Sequence, residues 1–93
     1  MNTTRKLLYM PYAKARVEID EYGAIYLLSY ASPVICIDPE GWLYCYRINS
    51  ATTISHIKAF MKEYGYGSTF SAVKKCYYEN KCYNIYTHEF LTR

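Results

Sequence analysis

The stretch ARVEIDEYGAIYLLS (Ala15–Ser29) predicts a β-hairpin. Its turn, Asp20–Gly23, has Asp at the first position and Gly at the fourth. An Asp side chain bonds the backbone of such a turn, and Gly accepts the left-handed conformation that a three-residue hairpin loop requires. The cross-strand pairs that follow are all apolar: Ile19 with Ile25, and Val17 with Leu27. Turn chemistry and side-chain alternation therefore agree on one aliphatic face.

The same turn pattern, Asp at the first position and Gly at the fourth, recurs in Asp38–Gly41, where Pro39 also favours a turn conformation. This second hairpin pairs Ile37 with Leu43 and Ile35 with Cys45. Its opposite face is predicted to carry a mainly aromatic set: Val34, Cys36, Trp42, Tyr44 and Tyr46. The link SYASPV (29–34) places Pro33 at a bend or strand start, since proline cannot donate to a central ladder. Whether the aliphatic faces of the two hairpins coincide stays open at this point.

The segment NSATTISHIKAFMKEYG (Asn49–Gly65) predicts an amphipathic α-helix of about 12 residues. Its apolar positions recur at helical spacing: Ile54, Ile57, Phe60, Met61 and Tyr64. Thr52 or Thr53 is the predicted N-cap, because a hydroxyl there accepts a bond from a free N–H of the first turn. Gly65 is predicted to end the helix in the left-handed conformation.

The segment FSAVKKCYYENKCYNIYTHEF (Phe70–Phe90) favours a third hairpin that turns near Glu79–Lys81 and places Cys76 opposite Cys82. A short helix over Thr69–Tyr78 is the alternative. The predicted fold is thus a single α+β domain spanning residues 1–93. It comprises an antiparallel sheet of three hairpins (about five to six strands), with one α-helix packed on one face.

Composition places the chain among globular proteins, with 52% apolar and 20% charged residues and a net charge of +3. No apolar run is long enough to span a membrane, and Leu7–Met10 is too short for a signal-peptide core. We therefore expect a cytoplasmic protein without a membrane partner. The 13 tyrosines are explained either by a genome rich in A and T or by a binding surface built from tyrosine.

No catalytic constellation, metal site or cofactor motif is apparent. The four cysteines form no CxxC, and His56 and His88 lack metal-ligand spacing. Cys36 and Cys45 are predicted to pack in the core. Cys76 and Cys82 are predicted to be free thiols in the cytosol or a cross-strand disulfide under oxidising conditions. We expect a protein that is not an enzyme, without a cofactor or bound metal.

A binding surface is what the residues favour. The predicted partner-binding residues are Tyr26, Trp42, Tyr44, Tyr46, Arg47, Thr52 and His56. Tyrosine and tryptophan supply large contact areas at low entropic cost. His56 is alternatively a surface or capping histidine. A nucleic-acid interface would add Lys74 and Lys75 to the sheet aromatics. The second face of the sheet could instead be covered by the segment KLLYMPY (6–12) or by a second copy in a homodimer.

The stretches SYASPVICID and NSATTISHIKAFMKEYG together resemble a family of short proteins encoded by phages and mobile elements of Firmicutes. The family pattern is S-Y-x-T-x-V followed by S-x-T-T-x-x-H-I-x-x-F-x-x-E. The matching residues are Ser29, Tyr30, Val34, Ser50, Thr52, Thr53, His56, Ile57, Phe60 and Glu63. The resemblance implies an origin in a phage or mobile element. For a small protein without catalytic residues, that origin favours a phage-type inhibitor of a host defence complex, such as a CRISPR effector, that acts by protein–protein contact. The alternatives are a small nucleic-acid-binding regulator and a sponge for a nucleotide signal.

Overall fold

The computed structural model describes residues 2–93, in which seven strands form one antiparallel sheet and two helices lie on one of its faces. The elements are β1 (Thr3–Lys6), β2 (Ala15–Ile19), β3 (Ile25–Ser29), β4 (Ser32–Ile37), β5 (Trp42–Cys45), α1 (Ala51–Tyr64), α2 (Phe70–Glu79), β6 (Lys81–Asn84) and β7 (Phe90–Thr92). Strand order in the sheet follows the chain, and both helices are inserted between β5 and β6. The predicted α+β class is confirmed, with one more helix and more strands than predicted. Over these residues no helix is long and apolar enough to cross a bilayer.

Both predicted hairpins are confirmed in register. Strands β2 and β3 pair Ile19 with Ile25 and Val17 with Leu27, and β4 and β5 pair Ile37 with Leu43 and Ile35 with Cys45. The Asp20 carboxylate accepts hydrogen bonds from the N–H groups of Tyr22 and Ala24 at 2.9 and 3.0 Å. Gly23 and Gly41 have φ of +91° and +94°, the left-handed conformation that the turn pattern required.

A β-bulge in β4 decides the face on which Val34 lies. Leu27 pairs with Ile35 while Leu28 pairs with Pro33, so Val34 is the extra residue. Its side chain is completely buried in the core, and its predicted place on the aromatic face was wrong. Pro33, the second residue of β4, is exposed beside the bulge, where its missing N–H is tolerated.

The aliphatic faces of the two hairpins coincide, which the sequence had left open. Pairing aligns Val17, Leu27, Ile35 and Cys45 in one row across β2 to β5. The buried side chains of both helices pack on this side, which we call the covered face. The core consists of Leu7, Val17, Leu27, Val34, Ile35, Ile37, Leu43, Cys45, Ile57, Ala59, Phe60, Met61, Val73, Cys76, Tyr83 and Ile85.

Helix α1 is capped differently from the prediction. Ser50 is the N-cap, and its hydroxyl accepts a hydrogen bond from the Thr53 N–H at 3.1 Å. Thr52 and Thr53 lie inside the helix, so both predicted caps were wrong. Gly65 ends the helix with φ of −81°, not in the left-handed conformation. Its lack of a side chain matters for another reason, since a Cβ there would lie 2.5 Å from the Met61 carbonyl oxygen and 2.8 Å from that of Ser68.

The predicted third hairpin was wrong, because residues Phe70–Glu79 form α2, as in the alternative. The buried residues of this helix, Val73 and Cys76, lie one turn apart on the side that faces the sheet. Asn80 ends the helix in the left-handed conformation with φ of 53°. Cys76 is therefore not a strand partner of Cys82. All four cysteines are free and buried.

The N-terminal segment joins the helix side of the molecule and does not cover the second face of the sheet. Arg5 donates to the Glu63 carboxylate at 2.5 Å and to the Tyr64 hydroxyl, and the Leu8 N–H donates to Glu63 at 2.9 Å. Leu7 is completely buried in the core. The proposed covering role of residues 6–12 is thus wrong.

Replacing Glu63 by Gln tests this attachment. The Glu63 side chain is 7% exposed and that of Arg5 is 38% exposed, so solvent screens the pair only in part. We expect the free energy of unfolding to fall by about 1–2 kcal/mol, because a charge-assisted hydrogen bond becomes a neutral one. The measurement is urea unfolding. Glu79→Gln is the matched control, since Glu79 is half exposed and pairs with Lys81 at 3.4 Å. Equal effects of the two substitutions would contradict the assignment.

Candidate functional site: the open face of the sheet

The side of the sheet opposite the helices is lined by aromatic side chains, and we call it the open face. Tyr26, Cys36 and Tyr44 are directly paired across β3, β4 and β5. Trp42 and Tyr46 flank Tyr44 along the same strand direction, because alternate residues of a strand share a face. The structure thus brings together the four sheet aromatics that the sequence singled out.

Thiols lie between these rings. Cys36 interacts with the hydroxyls of Tyr26 and Tyr46, and Cys82 of β6 interacts with the hydroxyl of Tyr44. The guanidinium of Arg93 lies 5.2 Å from the centroid of the Tyr44 ring, within cation–π distance. Cys36 and Cys82 are buried, whereas Tyr46 is 48% exposed. The outer layer of the face is therefore aromatic, and the thiols lie beneath it.

The tyrosine hydroxyls and the Cys36 thiol of the open face are uncharged at neutral pH. Desolvation is the main cause that raises the pKa of the Tyr44 and Tyr46 hydroxyls, and it also raises the pKa of the Cys36 thiol. On the covered face, burial raises the pKa of Cys45 to about 11 and that of Cys76 to about 12. These thiols remain protonated at neutral pH and are weak nucleophiles.

Charged side chains flank the aromatic centre. Arg16 and Glu18 form an ion pair at 3.3 Å on the open side of β2. A shallow cavity of about 290 Å³ lies beside Tyr26 and is lined by Asn2, Glu18, Asp20, Tyr26, Leu28 and Pro33. A neutral aromatic centre with a charged border is the arrangement found at protein–protein interfaces.

His56 and Thr52 do not belong to this face. His56 is 2% exposed, and its Nδ1 lies 2.8 Å from the Ser29 hydroxyl. Desolvation lowers the pKa of His56, so the ring is neutral at neutral pH. Thr52 is exposed on the first turn of α1, in the helical layer. Here His56 makes an internal contact between α1 and β3.

Arg47 and the two candidate lysines also lie apart from the aromatic rows. Arg47 follows Tyr46 in the connection from β5 to α1, and its Nε is buried without a hydrogen-bond partner among residues 2–93. Lys74 and Lys75 are on α2, and the Lys75 ammonium lies 4.6 Å from the Phe90 ring centroid. The structure therefore separates Lys74 and Lys75 from the sheet aromatics, which the nucleic-acid hypothesis had combined in one surface.

Some members of the site were missed by sequence reasoning. Arg93 and Cys82 reach Tyr44 only because β6 and β7 extend the sheet beyond β5. Leu28 lines the cavity beside Tyr26, because it lies two residues further along β3 and so on the same face. The sequence pattern pairs the segment of β6 with residues that form α2. It therefore could not place Cys82 and Arg93 beside β5. Among residues 2–93, no three His, Cys, Asp or Glu side chains are arranged to hold a metal ion.

Comparison with known proteins identifies a family without an assigned activity. The model of a family of unknown function, DUF8033, matches residues 2–80. No curated protein and no solved structure matches the chain at significant similarity. The match covers the first five strands and both helices and ends before β6.

Proposed function

The chain belongs to DUF8033, a family of unknown function, and we propose from the geometry of the open face that it is a non-enzymatic binding protein. In this proposal the open face docks on a partner protein and covers a surface that the partner needs. The observation that carries the proposal is the clustering of Tyr26, Trp42, Tyr44 and Tyr46 on the side of the sheet that the helices leave uncovered.

The chemistry of these side chains supports a protein partner. Tyrosine and tryptophan dominate binding hot spots, because each buries a large rigid area and offers one polar group. None of the four belongs to the buried core cluster, so the core does not account for their presence. Their uncharged state at the centre of the face keeps the cost of desolvation low on binding.

The size of the face also supports this proposal. The molecule measures 33 × 31 × 22 Å along its principal axes, and the two longer axes accommodate a seven-stranded sheet. A stable interface needs about 800 Å² from each partner, which a face of these dimensions can provide. Two acidic residues, Glu18 and Asp20, are among those that line the cavity beside Tyr26, so it suits a basic side chain of the partner.

The finer form of the proposal is that the partner is a bacterial defence complex, such as a CRISPR effector, inside the host cell. This form rests on the resemblance to short proteins of phages and mobile elements and on the small size of the chain. The protein would then be an inhibitor of host defence. Affinity capture with the tagged chain should therefore recover a component of such a complex.

Replacing Tyr44 and Tyr46 together by Ser should abolish binding while the fold is kept. We expect recovery of the partner from a lysate of a low-GC bacterium to fall at least tenfold, because two aromatic contacts at the centre of an interface are lost. The measurement is affinity capture of the tagged chain with quantitative mass spectrometry, with and without nuclease. Circular dichroism should report an unchanged fold.

The matched control replaces Tyr12 and Tyr22 by Ser. These tyrosines are 97% and 77% exposed and lie in loops outside the open face. The control should retain the partner. A partner that both double variants retain would contradict docking through the open face. Recovery of nucleic acid, with proteins lost after nuclease, would instead favour the nucleic-acid hypothesis.

A further inference from the structure

A basic cavity lies at one end of the sheet, where the loop between β1 and β2 meets the turn between β3 and β4. Its volume is about 420 Å³, and it is lined by Lys6, Ala13, Lys14, Ala15, Arg16, Tyr30 and Ala31. The Tyr30 N–H donates to the Lys14 carbonyl at 2.8 Å and joins the two segments. Among residues 2–93, three cations and no carboxylate line this cavity. Part of the net charge of +3 is thus concentrated at one point of the surface.

Two of these cations oppose each other in the sheet. Lys6 and Arg16 are direct partners in β1 and β2, so their side chains lie on the same face. Like charges at directly opposed positions are unfavourable. Arg16 is compensated by Glu18 at 3.3 Å, but within residues 2–93 neither Lys6 nor Lys14 forms an ion pair. An anion in the cavity would relieve this repulsion.

The turn that carries Tyr30 is strained. Tyr30 and Ala31 form a two-residue hairpin turn with φ of 52° and 68°, where Asn and Gly are the favoured residues. Strain of this kind tends to persist at functional sites. The turn places Tyr30 in the lining of the cavity; this residue is 59% exposed, and its ring centroid lies 5.9 Å from that of His56. His56 thus supports the ring while most of it remains accessible.

We propose that this cavity binds the phosphate of a nucleotide, with Lys6, Lys14 and Arg16 around the phosphate and the Tyr30 ring stacked on the base. Arginine offers a planar fork of donors to phosphate, and lysine offers a mobile charge. Stacking of a base on an aromatic ring accepts any base, since every base has a π-face. The site is distinct from the aromatic centre of the open face, and its failure would leave the proposed function standing.

The test is titration calorimetry of the full chain at low salt with inorganic phosphate, adenosine monophosphate, adenosine triphosphate and a short single-stranded oligonucleotide. The double substitution Lys14→Gln with Arg16→Gln should weaken binding at least tenfold, since two of the three phosphate ligands are lost. Lys62→Gln with Lys74→Gln removes the same charge from exposed positions on α1 and α2 and should change affinity less than about twofold.

Tyr30→Asn separates stacking from charge. Asn tolerates the left-handed conformation at this turn, so the fold should be kept while the ring is lost. This variant should bind nucleotides more weakly and inorganic phosphate as the wild type does. Binding of free nucleotides would identify a mononucleotide ligand, and binding of the oligonucleotide alone would identify a strand; both support a phosphate site. Absence of binding to all four ligands would overturn it, as would equal loss in the two double-charge variants.

Discussion

Replacing Phe60 by Ala is expected to lower the free energy of unfolding by about 3–5 kcal/mol, the range for deletion of a buried aromatic side chain. Phe60 is completely buried and has the largest of the fully buried side chains among residues 2–93. It lies in the middle of α1, in the cluster that joins this helix to the covered face, and its ring centroid is 5.0 Å from that of Tyr64. A cavity here cannot close without moving the helix against the sheet.

Urea unfolding followed by circular dichroism measures this loss. The matched control is Tyr12→Ala, since Tyr12 is 97% exposed and its replacement should cost less than about 0.5 kcal/mol. The free energy of unfolding of a small domain is only about 5–15 kcal/mol in total, so the expected loss is a large part of it. A loss below about 1 kcal/mol for Phe60→Ala would mean that α1 is not packed on the sheet as described.

Replacing His56 by Ala should lower the free energy of unfolding by about 2–4 kcal/mol, since it leaves a cavity and an unpaired Ser29 hydroxyl. His56 and Ser29 are 2% and 0% exposed, so water cannot replace the lost partner. The contact of 2.8 Å links α1 to β3, two elements far apart in the chain. Thermal and urea unfolding at neutral pH measure the effect.

The pH dependence of stability should identify the same residue. Desolvation lowers the pKa of His56 in the folded chain below the ordinary value of 6.5. Below about pH 6.5 the unfolded chain therefore binds a proton that the folded chain resists, and stability falls as the pH drops toward 5. In His56→Ala the free energy of unfolding should fall less between pH 6.5 and 5 than in the wild type. Ser29→Ala retains a buried histidine, so its free energy of unfolding should fall with pH as that of the wild type does. Parallel pH profiles for the wild type and His56→Ala would contradict the assignment.

Most of the residues that carry the family resemblance make contacts within the fold. Ser29 meets His56, Ser50 caps the helix at Thr53, and Glu63 holds Arg5. These pairs tie α1 to its own N-terminus, to β3 and to the N-terminal strand. In this chain most of these residues therefore serve the packing of α1 on the sheet, and the proposed docking residues on the open face are outside the set.

Local patterns predicted the two hairpins correctly. In each, an Asp at the first and a Gly at the fourth position set the turn, and alternation of apolar residues set the register over a few residues on either side. The α1 helix was equally readable, since its buried side chains recur at helical spacing. The same alternation placed Tyr26 and Tyr44 on faces opposite the aliphatic rows, and both lie on the open face.

The segment of α2 was misread because its side chains favour strands by intrinsic preference. Tyr77, Tyr78 and Cys76 are typical of strands, yet Val73 and Cys76 are the positions that the sheet buries. Tertiary burial outweighed local preference. The strand β1 was missed because its four residues, Thr3–Lys6, have no apolar alternation and are held by pairing with β2.

Local patterns were enough to establish the turns, the registers of the two hairpins and the amphipathic helix α1, because each depends on residues close to one another in the chain. Tertiary structure alone decided that the two aliphatic faces coincide, through the bulge at Val34, and that both helices lie on that side. It also decided that Lys6, Lys14 and Arg16 gather beside Tyr30 and that His56 is buried against Ser29. These contacts join residues that are distant in the chain and are brought together by strand pairing and by the packing of α1 on the sheet, which no local pattern specifies.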